Sequence, residues 1–244
     1  MVRSRFSRRQ ILTASLLCGG SIFASSAVAW NLQRGIPWIS GTSPSPRGFD
    51  GARFFTAAER RCMDALVGRL IPTDDLGPGA REAGVVDFID NQLAGSFGRG
   101  ERWYMKGPFA DGLKTQGYQG EHPPAGLYRT AIAALDDHCR ERFEGRTFAE
   151  LQEDDQDAIL SEIEDEELDF DGVSAAAFFA MLQDNTVEGF FCDPIYGGNR
   201  DMVGWRLVGF PGARYDYRDY LDHNGEPISI EPVGLTGRAA WNVD

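Results

Sequence analysis

The chain has 244 residues and a formal net charge of −13, with 37 acidic against 24 basic side chains. This length suits one domain, or one domain with a long tail, and is sufficient to bury a hydrophobic core. The acidic balance argues against nucleic acid and anionic membrane as direct partners, because a protein must bring positive charge to a phosphate surface.

Residues 1–29 are predicted to be an export signal that is not part of the fold. Arg8 and Arg9 precede a long uncharged stretch, and the small residues Ala27 and Ala29 frame a predicted cleavage site. The paired arginines favour the twin-arginine pathway, which exports folded proteins that hold a cofactor or travel with a partner that holds one. The alternative is that the two arginines are the basic start of an ordinary secretory signal.

Residues 30–53 are rich in glycine, proline and serine and show no hydrophobic period. We predict that they form an extended leader that becomes ordered only against another surface. The remaining residues, 54–244, are predicted to form a single domain.

The domain is predicted to be mainly α-helical. Thr56 and Glu59 have the spacing of a capping box, and the helix that they open should end before Pro72. Apolar residues then recur at helical spacing in four further segments: from Gly84 to Leu93, from Leu127 to Phe143, around Ile159 and Ile163 after a second capping box at Thr147–Glu150, and from Ser174 to Phe190.

Two parts of the domain are predicted to be irregular. The stretch between Gly95 and Pro124 contains many glycines together with several aromatic residues, and a loop of this length in a compact domain is usually functional or an interaction surface. The C-terminal quarter, from Cys192 to Asp244, has glycines and prolines but no sustained period of either kind.

The cysteines are predicted to differ in their exposure. Cys18 would leave with the signal, so an odd number would remain in an oxidising compartment. Cys62 and Cys139 lie on apolar helical stripes and are predicted to be buried. Cys192 lies at a helix end and is predicted to be the exposed thiol, or the one bonded to another chain.

A search of the sequence for catalytic and cofactor motifs assigns no catalytic, cofactor-binding or metal-ligating residue. It contains no dinucleotide fingerprint, covalent-haem motif or paired cysteine motif. His122, His138 and His223 are too scattered to indicate a metal site. The acid-rich stretch from Asp154 to Asp171 lacks the spacing of a calcium loop and is predicted to be a solvated helix face.

The most distinctive pattern is a run of glycine-set turns near the C-terminus, which includes Tyr196, Asn199, Trp205 and Phe210. Such turns can present planar side chains and exposed amides. They either cover the helical core or form a rigid docking surface, and their spacing leaves both interpretations open.

Several of these stretches together resemble the small (gamma) subunit, or subunit 3, of gluconate 2-dehydrogenase and related flavin-dependent sugar dehydrogenases. The resemblance rests on Ile71–Asp74, Gly79–Val85, Phe88–Asp90, Phe148, Leu151, Pro194–Asn199, Gly204-Trp205 and Phe210–Gly212.

The resemblance implies a non-catalytic subunit of a periplasmic complex. It would carry the twin-arginine signal for a large FAD-binding partner that lacks one, and electrons would pass on to a multihaem cytochrome c subunit. The chain would meet the membrane only through that complex and would hold no cofactor itself. This accounts for an export signal in a chain without a cofactor motif.

We therefore predict that the chain assembles with the large subunit and escorts it during export. The rival hypotheses are a stand-alone secreted enzyme that uses carboxylates or His223, and a secreted module whose aromatic loops bind a small ligand. Planar side chains in tight turns lose little entropy on binding, which favours them as contact residues. The candidate interface residues are Trp103, Tyr104, Cys192, Tyr196, Asn199, Trp205 and Phe210.

Overall fold

Helices provide the regular structure of the protein. A computed structural model describes residues 53–110, 112–214 and 217–235, all of which lie in one compact unit. The predicted signal, with Arg8, Arg9, Ala27 and Ala29, and the predicted leader up to residue 52 lie outside the described residues. The mainly helical fold class is confirmed by the six α-helices of the described ranges: α1 (Ala57–Leu70), α2 (Val85–Ala94), α3 (Pro124–Arg142), α4 (Glu153–Glu164), α5 (Ala175–Phe191) and α6 (Val203–Val208).

The segments between the helices are irregular, and the described residues contain isolated β-bridges but no β-strand. No described helix is both long enough and apolar enough to cross a bilayer. Short 3₁₀ turns lie in these irregular segments, at Lys114–Gln116, Phe148–Glu150, Pro194–Tyr196, Arg200–Met202 and Arg218–Tyr220.

Helix α1 begins and ends where its sequence predicts. The Thr56 hydroxyl accepts a hydrogen bond from the Glu59 amide (3.3 Å), and the Glu59 carboxylate accepts one from the Thr56 amide (2.7 Å). This reciprocal pair satisfies two amides that the helix itself leaves without partners. The helix ends at Leu70, two residues before Pro72, which has no amide hydrogen to continue it.

The second predicted capping box also forms, although the helix that it opens is a short 3₁₀ turn. The Glu150 carboxylate accepts from the Thr147 amide (2.8 Å). The Asp136 carboxylate of α3 accepts from the Phe148 amide (3.1 Å), and the side-chain amide of Gln156 in α4 donates to the Phe148 carbonyl oxygen (2.9 Å). These contacts hold the turn between α3 and α4, and Phe148 is fully buried there.

Helix α5 is the centre of the fold, because it contacts α1, α2, α3, α4 and α6. Its Phe178, Leu182 and Phe190 are almost fully buried, as expected for a helix that is apolar on several sides. Its polar residues are satisfied internally, since Asn185 donates from Nδ2 to the Tyr128 hydroxyl (2.8 Å). Burial raises the pKa of Tyr128, so this phenol stays neutral and keeps its proton for hydrogen bonding.

The acid-rich stretch from Asp154 to Asp171 forms the outer side of α4 and the turns after it. Arg69 of α1 pairs with two carboxylates of α4, at 2.5 Å from Glu153 and 2.6 Å from Asp157. The prediction of a solvated helix face is confirmed, with this ion-pair contact to α1 as an addition.

The chain is fastened to the domain where it enters the described part, just before α1. The buried Asp90 carboxylate of α2 accepts from three successive amides: Arg53 (2.5 Å), Phe54 (3.0 Å) and Phe55 (2.7 Å). Arg129 of α3 donates to the Phe54 carbonyl oxygen (3.0 Å) and lies 4.5 Å from the centre of its ring. The segment that leads into α1 is thus held by two other helices.

We expect Asp90→Asn to lower the free energy of unfolding by about 2 kcal/mol or more, because a charged acceptor of three buried amides is replaced by a group with its own donors. Thermal and urea unfolding of the purified domain measures this. Asp137→Asn is the control, since Asp137 is exposed and, among the residues that the structure describes, pairs only with Arg140 on the same helix. Equal stability of the two variants would contradict the assigned role of Asp90.

Candidate docking surface

The glycine-set turns after α5 are built around one buried amide side chain. Asn199 is fully buried; its Nδ2 donates to the Cys192 carbonyl oxygen (2.8 Å) and its Oδ1 accepts from the Gly204 amide (2.9 Å). Its backbone is left-handed (φ 45°), a conformation that asparagine adopts more readily than most residues. Asn199 therefore joins the end of α5 to the start of α6.

Two glycines allow these turns to close onto α5. A Cβ atom at Gly198 would lie 2.1 Å from the Gly189 carbonyl oxygen, and one at Gly204 would lie 2.2 Å from the Phe190 carbonyl oxygen. No side chain fits at either position. The glycine pattern noted in the sequence is thus required by backbone packing.

Trp205 completes this internal arrangement. Only 5% of its surface is exposed, its Nε1 donates to the Phe191 carbonyl oxygen (2.7 Å), and the Phe210 ring packs edge-on against it (5.2 Å between centroids). The prediction that Asn199 and Trp205 contact a partner is therefore corrected, because both side chains are buried and form their hydrogen bonds within the domain. The other five predicted interface residues keep some exposed surface.

The turns also meet a second segment that carries the family resemblance. The Arg200 amide donates to the Ala83 carbonyl oxygen (2.9 Å), and its guanidinium pairs with Asp87 (3.0 Å), which also pairs with Arg60 of α1 (2.6 Å). A Cβ atom at Gly84 would lie 3.1 Å from the carbonyl oxygen of Gly197. Segments more than 100 residues apart thus form one structural unit.

Large apolar side chains remain exposed beside this unit. The exposed residues next to the groove described below are Leu76 on the neighbouring Asp74–Gly77 turn, Leu207 on α6 and Phe210 just after α6. Between that turn and α6 lies a groove of about 390 Å³, whose walls are mostly apolar. Exposed apolar residues that cluster beside a groove are typical of interaction sites.

The turn holds Leu76 in an exposed position. Asp74 and Gly77 exchange two backbone hydrogen bonds (3.2 and 3.1 Å), and the Asp74 carboxylate accepts from the Leu76 amide (2.8 Å). Leu76 is 76% exposed. Leu76 and Leu207 were not predicted from the sequence; the signal for Leu76 was an apolar residue between Asp-Asp and Gly-Pro, a pattern typical of a turn tip.

The predicted aromatic loop between α2 and α3 is confirmed, and its rings differ in role. Trp103 packs against Phe97 (5.8 Å) and Tyr118 (5.6 Å), so it closes the loop on itself. Tyr104 is 82% exposed and stays a candidate contact residue. Another cleft, of about 520 Å³, lies beside this loop near His122.

The burial of the cysteines agrees with two of the three predictions. Cys62 and Cys139 are buried, and burial raises the pKa of both thiols. Cys192 is partly buried, its Sγ donates to the Gly189 carbonyl oxygen (3.3 Å), and burial raises its pKa to about 11. It is the most accessible of the three, but its thiol is engaged within the domain.

The histidines are separate from one another. His122 contacts the Gly172 carbonyl oxygen (3.1 Å), His138 is half-buried, and His223 pairs with Glu226 (2.8 Å) on the surface. Within the described part of the chain, no three His, Cys, Asp or Glu side chains are grouped so that they could hold a metal ion. For the hypothesis of a secreted enzyme that uses His223, the described residues thus provide one exposed pair, His223 with Glu226.

We expect Trp205→Ala to lower the free energy of unfolding by roughly 3–5 kcal/mol, because it empties a buried site and leaves the Phe191 carbonyl oxygen without its donor. Phe210→Ala should cost about 1 kcal/mol, since Phe210 is half exposed and loses mainly one ring contact. Chemical denaturation of both variants provides the comparison. A Trp205→Ala variant as stable as Phe210→Ala would return Trp205 to the surface.

We expect iodoacetamide to label native Cys192 slowly at pH 7 and faster as the pH rises. A pKa of about 11 leaves roughly one thiol in ten thousand as thiolate at pH 7. While the pH is below the pKa, each increase of about one pH unit raises the thiolate fraction about tenfold. Mass spectrometry of the adducts formed at pH values from about 7 to about 9 measures the labelling rates. Cys62 and Cys139 should react only after unfolding, and rapid labelling of native Cys62 would contradict their placement.

The comparisons with known proteins point to one family. The family model described as gluconate 2-dehydrogenase subunit 3 matches residues 57–212, from the first residue of α1 to the turn after Phe210. No curated protein and no solved structure gives a significant match. The matched range covers more than half of the chain and includes both segments that meet at Arg200, together with the groove beside α6. The chain therefore belongs to the gluconate 2-dehydrogenase subunit 3 family.

Proposed function

We propose that the chain is the non-catalytic small subunit of a periplasmic, flavin-dependent gluconate or related sugar-acid dehydrogenase complex. In this proposal it binds the FAD-containing large subunit in the cytoplasm and escorts it through twin-arginine export. Family membership is the observation that carries the proposal, and the paired Arg8 and Arg9 support the route.

The surface of the domain supports an assembly role. Several large apolar side chains stand on ordered turns and on a short helix, where a partner could cover them without reordering the chain. Leu76 and Tyr104 are each more than three-quarters exposed. Within the domain such residues contribute little to stability, so burial against a partner gives them a physical reason to be apolar.

The remaining parts of the complex are proposed from the resemblance described above. We place FAD in the large subunit and haem c in a multihaem cytochrome subunit, and we assign this chain no cofactor. Association with the membrane would then come through the complex. The acidic net charge of −13 agrees with this division, because it opposes direct binding to anionic lipids.

We expect a variant with Arg8→Lys and Arg9→Lys to hold both this chain and the dehydrogenase activity in the cytoplasm, because the arginine pair is the address read for folded cargo. Cell fractionation, with immunoblots for both subunits and an acceptor-reduction assay on each fraction, measures the effect.

The control is Arg3→Lys with Arg5→Lys, which alters the same basic segment outside the pair. It should leave export unchanged. Normal periplasmic activity in the Arg8/Arg9 variant would refute the escort role, whereas loss of export in both variants would show that the effect is not specific to the arginine pair.

A further inference from the structure

We propose that the groove between the Asp74–Gly77 turn and α6 binds an apolar segment of the flavoprotein large subunit that is flanked by basic side chains. The proposal rests on the proposed function, since it names the place and the chemistry of that contact. Four observations support it: the shape of the groove, its rigidity, the charge at its mouth, and the exposure of the leucines at its edge.

The groove has apolar walls contributed by distant parts of the chain. Leu70 is the last residue of α1, and Ile71 and Pro72 follow it. Val203 and Leu207 belong to α6, and Phe190 of α5 also lines the groove. Its volume of about 390 Å³ is near the lower end of the ~300–1,000 Å³ typical of ligand pockets. A groove of this size admits a few side chains of a partner segment.

The walls are fixed before any partner binds. The Ala80 amide donates to the Ile71 carbonyl oxygen (2.9 Å), and the Gly79 amide donates to the Thr73 hydroxyl (2.9 Å), which itself donates to Glu82 (2.7 Å). The opposite wall, α6, is held by Asn199. Preformed walls reduce the entropy lost on association.

The mouth of the groove is acidic. Asp74 lines the groove, and Asp75 is the next residue of the same turn. Both are exposed, and neither forms an ion pair within the described ranges. The cation that lines the groove, Arg206, lies 3.3 Å from Glu231, so its charge is balanced. Two uncompensated carboxylates beside apolar walls favour a segment that carries Lys or Arg next to its apolar anchors.

The same charges disfavour the other occupants. A second copy of this chain would bring its own two carboxylates to a symmetric contact and would add a net charge of −13 to a like-charged partner. A membrane surface or a nucleic acid is repelled for the same reason. The basic-flanked segment of the large subunit is the occupant that fits both the walls and the mouth.

The apolar part of the proposal is tested with variants of the co-expressed complex. Leu207→Asp and Leu76→Asp should each weaken association with the large subunit about thirtyfold or more, the size of a hot-spot effect. The matched controls are Val208→Asp, on the same helix as Leu207, and Leu113→Asp in the aromatic loop. Leu113 is matched to Leu76 because the two leucines are similarly exposed (72% and 76%). Neither control residue lines the groove, and both controls should bind within about threefold of the wild type.

The charge part is tested by association kinetics. Asp75→Lys should slow association about tenfold at low salt, and the difference should vanish as the salt concentration rises. Asp165→Lys is the control, because Asp165 is exposed at the end of α4. An unchanged or faster rate for Asp75→Lys would overturn the assignment of a basic segment.

The occupant is identified by a photo-crosslinking amino acid placed at Leu207, with Val208 as the neighbouring control position. We expect a crosslink from position 207 to a large-subunit peptide that contains apolar residues with Lys or Arg beside them. A crosslink to a second copy of this chain, or to an acidic peptide, would overturn the proposal.

The failures of the two proposals are distinguishable. If the wild-type chain brings down no flavoprotein, the proposed function fails. If it does so and Leu207→Asp, folded by circular dichroism and thermal melting, binds equally well, only the assignment of the groove fails.

Discussion

The enclosure of α5 is the constraint on which the rest of the structure depends. This helix carries apolar side chains on several sides, so its stability depends on other elements that cover most of them. The helices α1 to α4 cover most of its length, and α6 contacts it as well. The turns after Cys192 fold back onto its last residues, where Gly198 and Gly204 lie against carbonyl oxygens of Gly189 and Phe190. The position of the groove is a consequence, because its walls are the elements that cover this end of the helix.

Buried polar side chains then determine how the connecting segments run. Asp90 holds the entry to α1, Asn185 joins α5 to α3, and Asn199 joins the end of α5 to α6. Each lies in the interior with hydrogen-bond partners, as a buried polar group must to avoid the cost of desolvation. The residues on which the family resemblance rests include Asp90, Asn199 and Trp205, and all three serve the architecture. A specific sequence signature can thus exist in a subunit to which we assign no catalytic residue.

The proposed docking role is supported by the contrast between interior and surface. Inside, Asp90, Asn185 and Asn199 are hydrogen-bonded; outside, Leu76, Leu207 and Tyr104 are exposed on ordered backbone. An exposed leucine on a rigid turn contributes little to the stability of its own domain, but it can contribute strongly to association because little motion is lost. In a complex where the large subunit supplies the flavin, we propose that this chain supplies the address and the docking surface.

The sequence by itself determined the features that depend on neighbouring residues. The capping boxes at Thr56 and Thr147, the helical stripes and the burial of Cys62 and Cys139 were predicted correctly, because a helix and its caps are set by residues three or four positions apart. The tertiary structure alone decided which turn residues are exposed. Tyr196, Asn199, Trp205 and Phe210 look equivalent in sequence, yet Asn199 and Trp205 are buried because of bonds to Cys192 and Phe191 at the end of α5. The six-residue helix α6 is too short to show a period, and Leu76 and Leu207 line one groove although more than 100 residues of chain separate them. Contacts at that separation leave no local pattern, since they form only when the whole core closes.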